Sequence, residues 1–364
     1  MIATSLELKN FRNYRELHLA LDPGTNIFYG DNAQGKTNLL EALYVSSTTK
    51  SYRGNKDAEM IRFGENEAHI RVALERNGVD HRIDMHLKRF GAKGVALDQV
   101  PIRRVGELFG LFHMVLFSPE DLTMIKSGPA ARRRFLDMEL CQMDSIYYSD
   151  LSKYNRALRQ RNKLLKDVQF YPELEDTLPV WDMQLVQTGE RIIARRQDFV
   201  HHLGEIASEI HAQISGGKER LTLRYEPNCR PGSLAGALAR NREHDLKSGS
   251  TSVGPQRDDL CLETNNIDLR RYGSQGQQRT AALSLKLSEI ELVKGRIQET
   301  PVLMLDDVLS ELDRRRQNDL LGRIGGIQTL ITCTGMDELI QNRLEINRLF
   351  LVQAGTVTEQ KEKK

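Results

Sequence analysis

The chain has 364 residues, 39% hydrophobic and 28% charged, which is enough apolar material for a buried core and excludes a disordered chain. At roughly 100–200 residues per domain, the length implies two lobes or three. The formal net charge of +2 does not identify a nucleic-acid binder by itself, so any such role requires cations clustered in one place.

In chain order, Leu6-Glu7-Leu8-Lys9 alternates apolar and polar residues and predicts an early strand. Asn26-Ile27-Phe28-Tyr29 predicts a short buried strand running into Gly30, and the spacing from Leu39 to Tyr44 predicts a helix. Two alternating runs, Ala68–Glu75 and Val79–Leu87, flank Asn77-Gly78, the strongest short hairpin signal. His113–Phe117 predicts another buried strand, closed by Ser118-Pro119. From about Ala130 to Ile214 the pattern is helical; Pro172 and Pro179 divide it into two long pieces, read as an antiparallel arm that ends at Gly216-Gly217. Leu221–Tyr225 predicts a strand, and the Gly/Ser-rich stretch from Ser248 to Gly254 is expected to be mobile. Pro301–Leu305, Thr329–Cys333 and Leu349–Val352 predict the last strands. Cys141, Cys229, Cys261 and Cys333 are far apart, with no C-x-x-C pair, which argues against a metal knuckle or disulfide framework and fits a reducing cytoplasm. No apolar run approaches the ~18–20 residues of a membrane span, and Met1–Glu7 lacks a signal-peptide pattern.

The chemistry is concentrated in two segments. Gly30-Asp31-Asn32-Ala33-Gln34-Gly35-Lys36-Thr37 matches G-x-x-x-x-G-K-[ST] between a predicted strand and a predicted helix, the context this phosphate loop requires. Glycines let backbone N–H groups approach phosphates, and the helix N-terminus adds positive potential. Lys36 is expected at the β/γ-phosphates of a nucleoside triphosphate and Thr37 on Mg²⁺. The second segment, Val302–Asp307, is an apolar strand that ends in two carboxylates. Asp306 suits the Mg²⁺ shell, and Asp307 suits an attacking water. Lys36, Asp306 and Asp307 are thus the expected catalytic residues.

Gly273-Ser274-Gln275-Gly276-Gln277-Gln278-Arg279 precedes a predicted helix and resembles the signature loop of ABC-type ATPases; the same residues also suit an ordinary helix cap. The resemblance implies that Ser274, Gly276 and Gln277 bind the γ-phosphate held by a second subunit. Ser310-Glu311-Leu312-Asp313 looks like the D-loop of that family. The stretch Asn10-Phe11-Arg12-Asn13-Tyr14 is similar to the start of SMC-related repair ATPases, where the arginine contacts nucleotide. Thr49–Arg53, Leu116–Leu122, Arg132–Asp137 and Val253–Leu260 narrow the likeness: from its first strand almost to its C-terminus the chain resembles the RecF family. The resemblance implies an α/β fold, an ABC/SMC-type P-loop ATPase head with an inserted, mainly helical second lobe. The expected ATPase lobe comprises 1–117 (phosphate loop and β-meander) and 299–364 (acidic strand, D-loop, last strands). The arm lobe, 118–298, carries the signature loop. The resemblance further implies an ATP-dependent homodimer, DNA binding at single-stranded, gapped and junction sites, and RecA loading with RecO and RecR, hence roles in replication restart and SOS induction.

Three departures from transporter-type ABC ATPases favour a slow switch, expected to be a DNA-stimulated ATPase. Asp307 stands where Glu is usual, Thr332-Cys333-Thr334 lacks the switch histidine, and no Gln-loop glutamine follows Phe117. A GTP-specific switch is disfavoured because Asn55-Lys56-Asp57-Ala58 has the wrong spacing for N-K-x-D. Larger SMC proteins carry a long coiled coil with a hinge or zinc hook, which this arm lacks. Cations cluster at Arg103-Arg104, Arg132–Arg134, Arg195-Arg196 and Arg314–Arg316, and above all at Arg156, Arg159, Arg161, Lys163 and Lys166. Arg156, Arg159, Arg161 and Lys163 are the expected phosphate contacts to DNA. Tyr147, Tyr148 and Tyr154 either stack on bases or belong to the core.

Overall fold

The computed structural model describes residues 1–54, 56–103, 105–335 and 345–360. Arg104 of the predicted cation pair and Asn55 of the rejected N-K-x-D reading lie outside the described residues. The chain forms two compact units, one from 1–123 and 279–364, the other from 124–278. These limits differ from the expected boundaries at 118 and 298, because most of the helix Gln275–Ile297, assigned by sequence to the arm, belongs to the first unit.

The first unit holds two sheets. One is ordered Thr356–Gln360, Ile346–Gln353, Thr25–Tyr29, Thr329–Cys333, Val302–Asp306, Met114–Phe117. Five strands are parallel, and only Thr356–Gln360 runs antiparallel. The runs Thr25–Tyr29, Thr329–Cys333, Val302–Asp306 and Met114–Phe117 are buried along nearly their whole length, as expected for parallel strands covered on both faces. The other sheet is an antiparallel meander, ordered Tyr14–Ala20, Ile2–Phe11, Glu67–Arg76, Val79–Lys88, Gly94–Leu97, Val100–Pro101. Its hairpin turns at Asn77 and Gly78, with φ of 51° and 74° and Arg76 paired to Val79. This is the two-residue turn that Asn-Gly favours. The helix Lys36–Thr48 contacts strands of both sheets, which is why its buried residues surround the axis instead of forming one stripe.

The second unit is an antiparallel helical hairpin with a three-stranded sheet. Ser145–Asp167 and Leu178–Ser215 are the hairpin helices, and the latter, at 38 residues, is about 57 Å long. Pro179 lies in the first turn of that helix and starts it, while Pro172 opens a short 3₁₀ turn. Gly216 and Gly217, with φ of 68° and 75°, terminate the helix. The segment expected to be mobile is pinned by side chains. Thr251 N–H donates to Asn162 Oδ1, Ser252 N–H to Asp245 Oδ1 and Gly254 N–H to Asn228 Oδ1, at 2.8–3.0 Å.

One of the four expected DNA contacts, and two further arginines of the predicted cation clusters, belong instead to an ionic core. Arg161 is fully buried and bonds Asp182 at 2.6 Å, Asp245 at 2.7 Å and Thr251 at 2.8 Å. It faces carboxylates that fix the arm to the loop after it, and so cannot contact DNA. Arg132 is held by both oxygens of Asp259, at 2.6 and 2.9 Å. Arg196 bonds Asp137, Asp258, the Tyr147 hydroxyl and the Pro255 carbonyl, all within 3.0 Å. Tyr147 and Tyr154 are buried and offer no stacking platform; burial pushes both phenols well above their ordinary pKa. Arg196→Leu leaves Asp258 buried without its cation, and removing one partner of such a pair costs about 3–5 kcal/mol. Urea unfolding is expected to show that loss, whereas Arg156→Ala, on an exposed face, changes stability by less than about 0.5 kcal/mol.

Candidate nucleotide site

The loops after the parallel strands converge, as ligand sites do at the carboxyl ends of open α/β sheets. Gly30 follows Thr25–Tyr29, Asp306 ends its strand, Thr332 lies near the end of the neighbouring strand, and Pro119 and Glu120 follow Met114–Phe117. A cleft of about 420 Å³ is lined by Asn32, Ala33, Gly35–Asn38, Tyr52, Arg53, Pro119, Glu120, Asp306 and Asp307.

The loop from Gly30 to Thr37 wraps the start of the helix Lys36–Thr48. A Cβ at Gly30 (φ 149°) would lie 2.3 Å from the Val352 carbonyl oxygen, and one at Gly35 (φ 117°) 2.5 Å from the Asn13 side chain. Both positions therefore require glycine. The loop is braced from two sides: Asn13 Nδ2 donates to the Gln34 carbonyl at 2.8 Å, Tyr14 to the Gly35 carbonyl at 3.1 Å, and Ala354 N–H to Gln34 Oε1 at 2.7 Å. The buried Lys36 ammonium donates to the Gly30 and Asp31 carbonyls at 2.8 and 3.0 Å, so it sits inside the curl of the loop. Asp31, Asn32 and Ala33 are exposed at its rim.

Asp306 is the hub. Its Oδ1 accepts from Thr37 Oγ1 at 2.9 Å and from Thr332 Oγ1 at 2.8 Å, and its Oδ2 accepts from the Tyr52 hydroxyl at 2.6 Å. Burial and the adjacent carboxylate hold the Tyr52 phenol well above its ordinary pKa, so it stays a donor. A hydroxyl beside a carboxylate is the hard-oxygen donor set that fits Mg²⁺, and these two, Thr37 and Asp306, are the residues that would hold it. Asp307 lines the same cleft with φ 50°, and its N–H donates to Thr332 Oγ1 at 2.9 Å.

Residues 2–358 match the RecF/RecN/SMC N-terminal domain family. A DNA replication and repair protein RecF from Agathobacter rectalis is 58% identical over 357 residues, 98% of this chain and 99% of that protein. The corresponding protein of Clostridium botulinum is 43% identical over 364 residues, with 98% and 99% covered. The chain belongs to the RecF family. A solved structure of the recombination mediator protein RecF-ATP in the RecFOR pathway matches with a TM-score of 0.92 at 36% identity, covering 99% of this chain and 97% of that one. The Smc head domain of Pyrococcus furiosus, at a TM-score of 0.56 and 15% identity over 98% of this chain and 95% of its own, shares the ATPase-head fold.

Within this RecF-family site the sequence-derived residues fall into three groups. Lys36, Thr37, Asp306 and Asp307 meet in one cleft. Arg12 does not line it: its guanidinium is clamped by both oxygens of the buried Glu41, at 2.6 and 2.8 Å, and donates to the Glu59 carbonyl. Arg53 lines the cleft, 3.2 Å from Asn38 Oδ1. The third group is the Ser274 loop, in the other unit. Ser274 Oγ accepts from Gln277 N–H at 3.2 Å, and Gln277 Oε1 accepts from Ser274 N–H at 3.0 Å. This reciprocal capping box starts the following helix. Ser274 and Gln275 are exposed, with Gly276 and Gln277 half-buried.

Sequence reasoning gave no role to Tyr52 or Thr332. Tyr52 lies 254 positions from Asp306, and its only signal was the likeness of Thr49–Arg53 to the family. Burial raises the Asp307 carboxyl above its ordinary pKa; Lys36 opposes this and Asp306 adds to it. The ionised form is therefore disfavoured in the folded state. Any stability from that carboxyl is present below its unfolded pKa and is lost as pH rises through the folded one. Asp307→Asn, which tolerates the same positive φ, is expected to raise the melting temperature at pH 7, with the gain disappearing below about pH 4, where both states are protonated. Melting curves of both proteins across that range check the sign.

Proposed function

We propose that the chain is an ATP-dependent DNA-binding protein of recombinational repair, acting in the cytoplasm as a slow, DNA-stimulated ATPase switch. On this reading ATP joins two copies into a homodimer on single-stranded, gapped or junction DNA. With RecO and RecR the dimer assists RecA loading, and so serves replication restart and SOS induction. The observation that carries it is the meeting of Lys36, Thr37 and Asp306 at one mouth of the parallel sheet, in a chain of the RecF family.

The Lys36 ammonium exchanges its two loop carbonyls for the β/γ-phosphates. Backbone N–H groups of Gly30 to Thr37 and the N-terminus of the Lys36–Thr48 helix hold the same oxygens. Mg²⁺, when bound, neutralises charge on those phosphates. Thr37 and Asp306 supply oxygens to it, and Tyr52 and Thr332 orient the Asp306 carboxylate. Asp307 orients the attacking water and accepts its proton. Ser274, Gly276 and Gln277 complete the partner copy's site, for which the exposure of Ser274 leaves the hydroxyl available.

Size-exclusion with ATP, with ADP and without nucleotide tests the switch: a dimer is expected with ATP alone. Lys36→Arg is expected to lose both ATP binding and the dimer, because a guanidinium does not fit where a compact ammonium does. Ser274→Arg is expected to bind ATP as a monomer and fail to dimerise. Dimers of Ser274→Arg with ATP would remove the loop's assigned role.

For DNA, the arm helix Ser145–Asp167 presents Lys153, Arg156, Arg159, Lys163 and Lys166, all exposed. Their spacing of three or four residues keeps them on one face, while Arg161 points into the core. Replacing Arg156, Arg159 and Lys163 with glutamine is expected to weaken DNA binding alike for all sequences and leave ATP binding intact. The slope of log affinity against log salt should fall by about 0.7–0.9 for each phosphate-binding cation removed. An unchanged slope would place DNA elsewhere on the protein, with the exposed Arg53 and Arg103 next to be tested.

A further inference from the structure

The antiparallel meander of the first unit buries alternate residues and turns the others outward. On that outward face His69 and His86 are directly paired across neighbouring strands. Their rings stack with centroids 4.3 Å apart at an interplanar angle of 16°. Glu67, two positions from His69 and so on the same face, meets His86 Nε2 with its carboxylate at 2.9 Å. One donor atom from each of the three residues lies within 4.8 Å of the others. His69 and His86 line a groove of about 490 Å³. Gly94, which pairs with His86 from the next strand, leaves the ring uncovered on that side.

We propose that Glu67, His69 and His86 form a binding site for a divalent transition-metal ion of the Zn²⁺ class. Two imidazoles with one carboxylate make a donor set for Zn²⁺, Ni²⁺ or Cu²⁺, and a poor one for Mg²⁺ or Ca²⁺, which take oxygen ligands. Two donors on one tetrahedral Zn²⁺, each about 2.0–2.1 Å from it, stand roughly 3.3 Å apart. The Glu67–His86 pair is already near that separation. The rest closes by rotating the exposed imidazole of His69, because the backbone is fixed by a ladder running from Glu67↔Lys88 to Arg76↔Val79. Directly opposed strand residues have Cβ atoms about 4.5–5.5 Å apart, close enough for two imidazoles to chelate one ion. Burial and the neighbouring His86 hold His69 below its ordinary pKa. Lys88 opposite Glu67 and Lys9 opposite His69 repel a cation, which restricts the site to ions that imidazole binds strongly. The three protein ligands leave a fourth position for water or an incoming anion, the arrangement of open rather than structural zinc sites. None of the three residues lines the nucleotide cleft, so the ion and the nucleotide share no ligand.

The test is calorimetric titration of the full chain with Zn²⁺, without nucleotide, followed by Co²⁺ absorption. One tight site is expected, and its Co²⁺ spectrum shows nitrogen and oxygen ligation without a thiolate charge-transfer band, which separates it from binding at a cysteine. His69→Asn and His86→Asn, both surface changes, should each weaken this site at least tenfold (an order-of-magnitude expectation). Equal uptake by wild type and the double variant, a thiolate band, or no binding up to millimolar Zn²⁺ would each overturn the proposal. If a histidine variant fails to fold, Glu67→Gln, at an exposed position, takes its place, and unchanged Zn²⁺ uptake overturns the proposal.

Discussion

Everything in the nucleotide cleft depends on one carboxylate. Asp306 ends a strand that is buried from Val302 onward, and a charge in that position needs donors around it. It has three: hydroxyls of Thr37, Thr332 and Tyr52. Those residues come from the phosphate-loop helix, the adjacent parallel strand and the segment after the helix. A carboxylate has about four lone-pair sites, so the group is stabilised and still has room for a further partner. The same three bonds set the positions of the elements that line the cleft, so the electrostatic requirement of a single buried acid also organises the site.

The second unit solves a similar problem with the opposite sign. Arg132, Arg161 and Arg196 are among the largest buried side chains, and each faces at least one aspartate. A guanidinium offers five donors in a fixed fork, so each of these residues ties together segments that are remote in sequence. Arg132–Asp137 and Val253–Leu260 meet in this way through Arg132–Asp259 and through Arg196, which joins Asp137 to Asp258. Part of the arginine content that points to nucleic acid when read along the chain is therefore internal scaffolding. The exposed stripe on Ser145–Asp167 keeps its cations because no acid stands among them between Asp150 and Asp167.

Legibility followed the range of the interaction. The Asn77-Gly78 hairpin, the strands Thr25–Tyr29 and Val302–Asp306 and the phosphate loop are local patterns, and each was readable from a short window. The partners of Arg161 lie 21 and 84 positions away, and no helical periodicity separates a solvated arginine from a buried one that has found two aspartates. Ser248–Gly254 reads as a flexible linker by composition, yet Asn162, Asp245 and Asn228 hold three of its backbone donors from outside the segment. Arg12 was expected at the nucleotide, but the acid that captures it, Glu41, sits within an apolar helical run where a sequence reader counts it as incidental. Composition reports what a residue prefers, while the fold determines which partner it obtains.

The acidic pair also bears on how fast such a site could turn over under the proposed reading. Asp307 has one methylene less than the glutamate usual in transporter ATPases, and it adopts a positive φ that non-glycine residues rarely hold without some cost. Thr332 donates to Asp306 and accepts from Asp307 N–H, so one hydroxyl fixes both the neighbouring carboxylate and the backbone that carries this one. A residue used in this way is committed to holding the acids apart and oriented. It lacks the reach and the titratable proton that a histidine in this region would bring to a phosphate. Burial further disfavours the ionised form of Asp307, the form that accepts a proton. A short base on a constrained backbone, with its ionised form disfavoured, is poorly suited to rapid hydrolysis and well suited to a long-lived nucleotide-bound state, which is what a clamp on DNA requires.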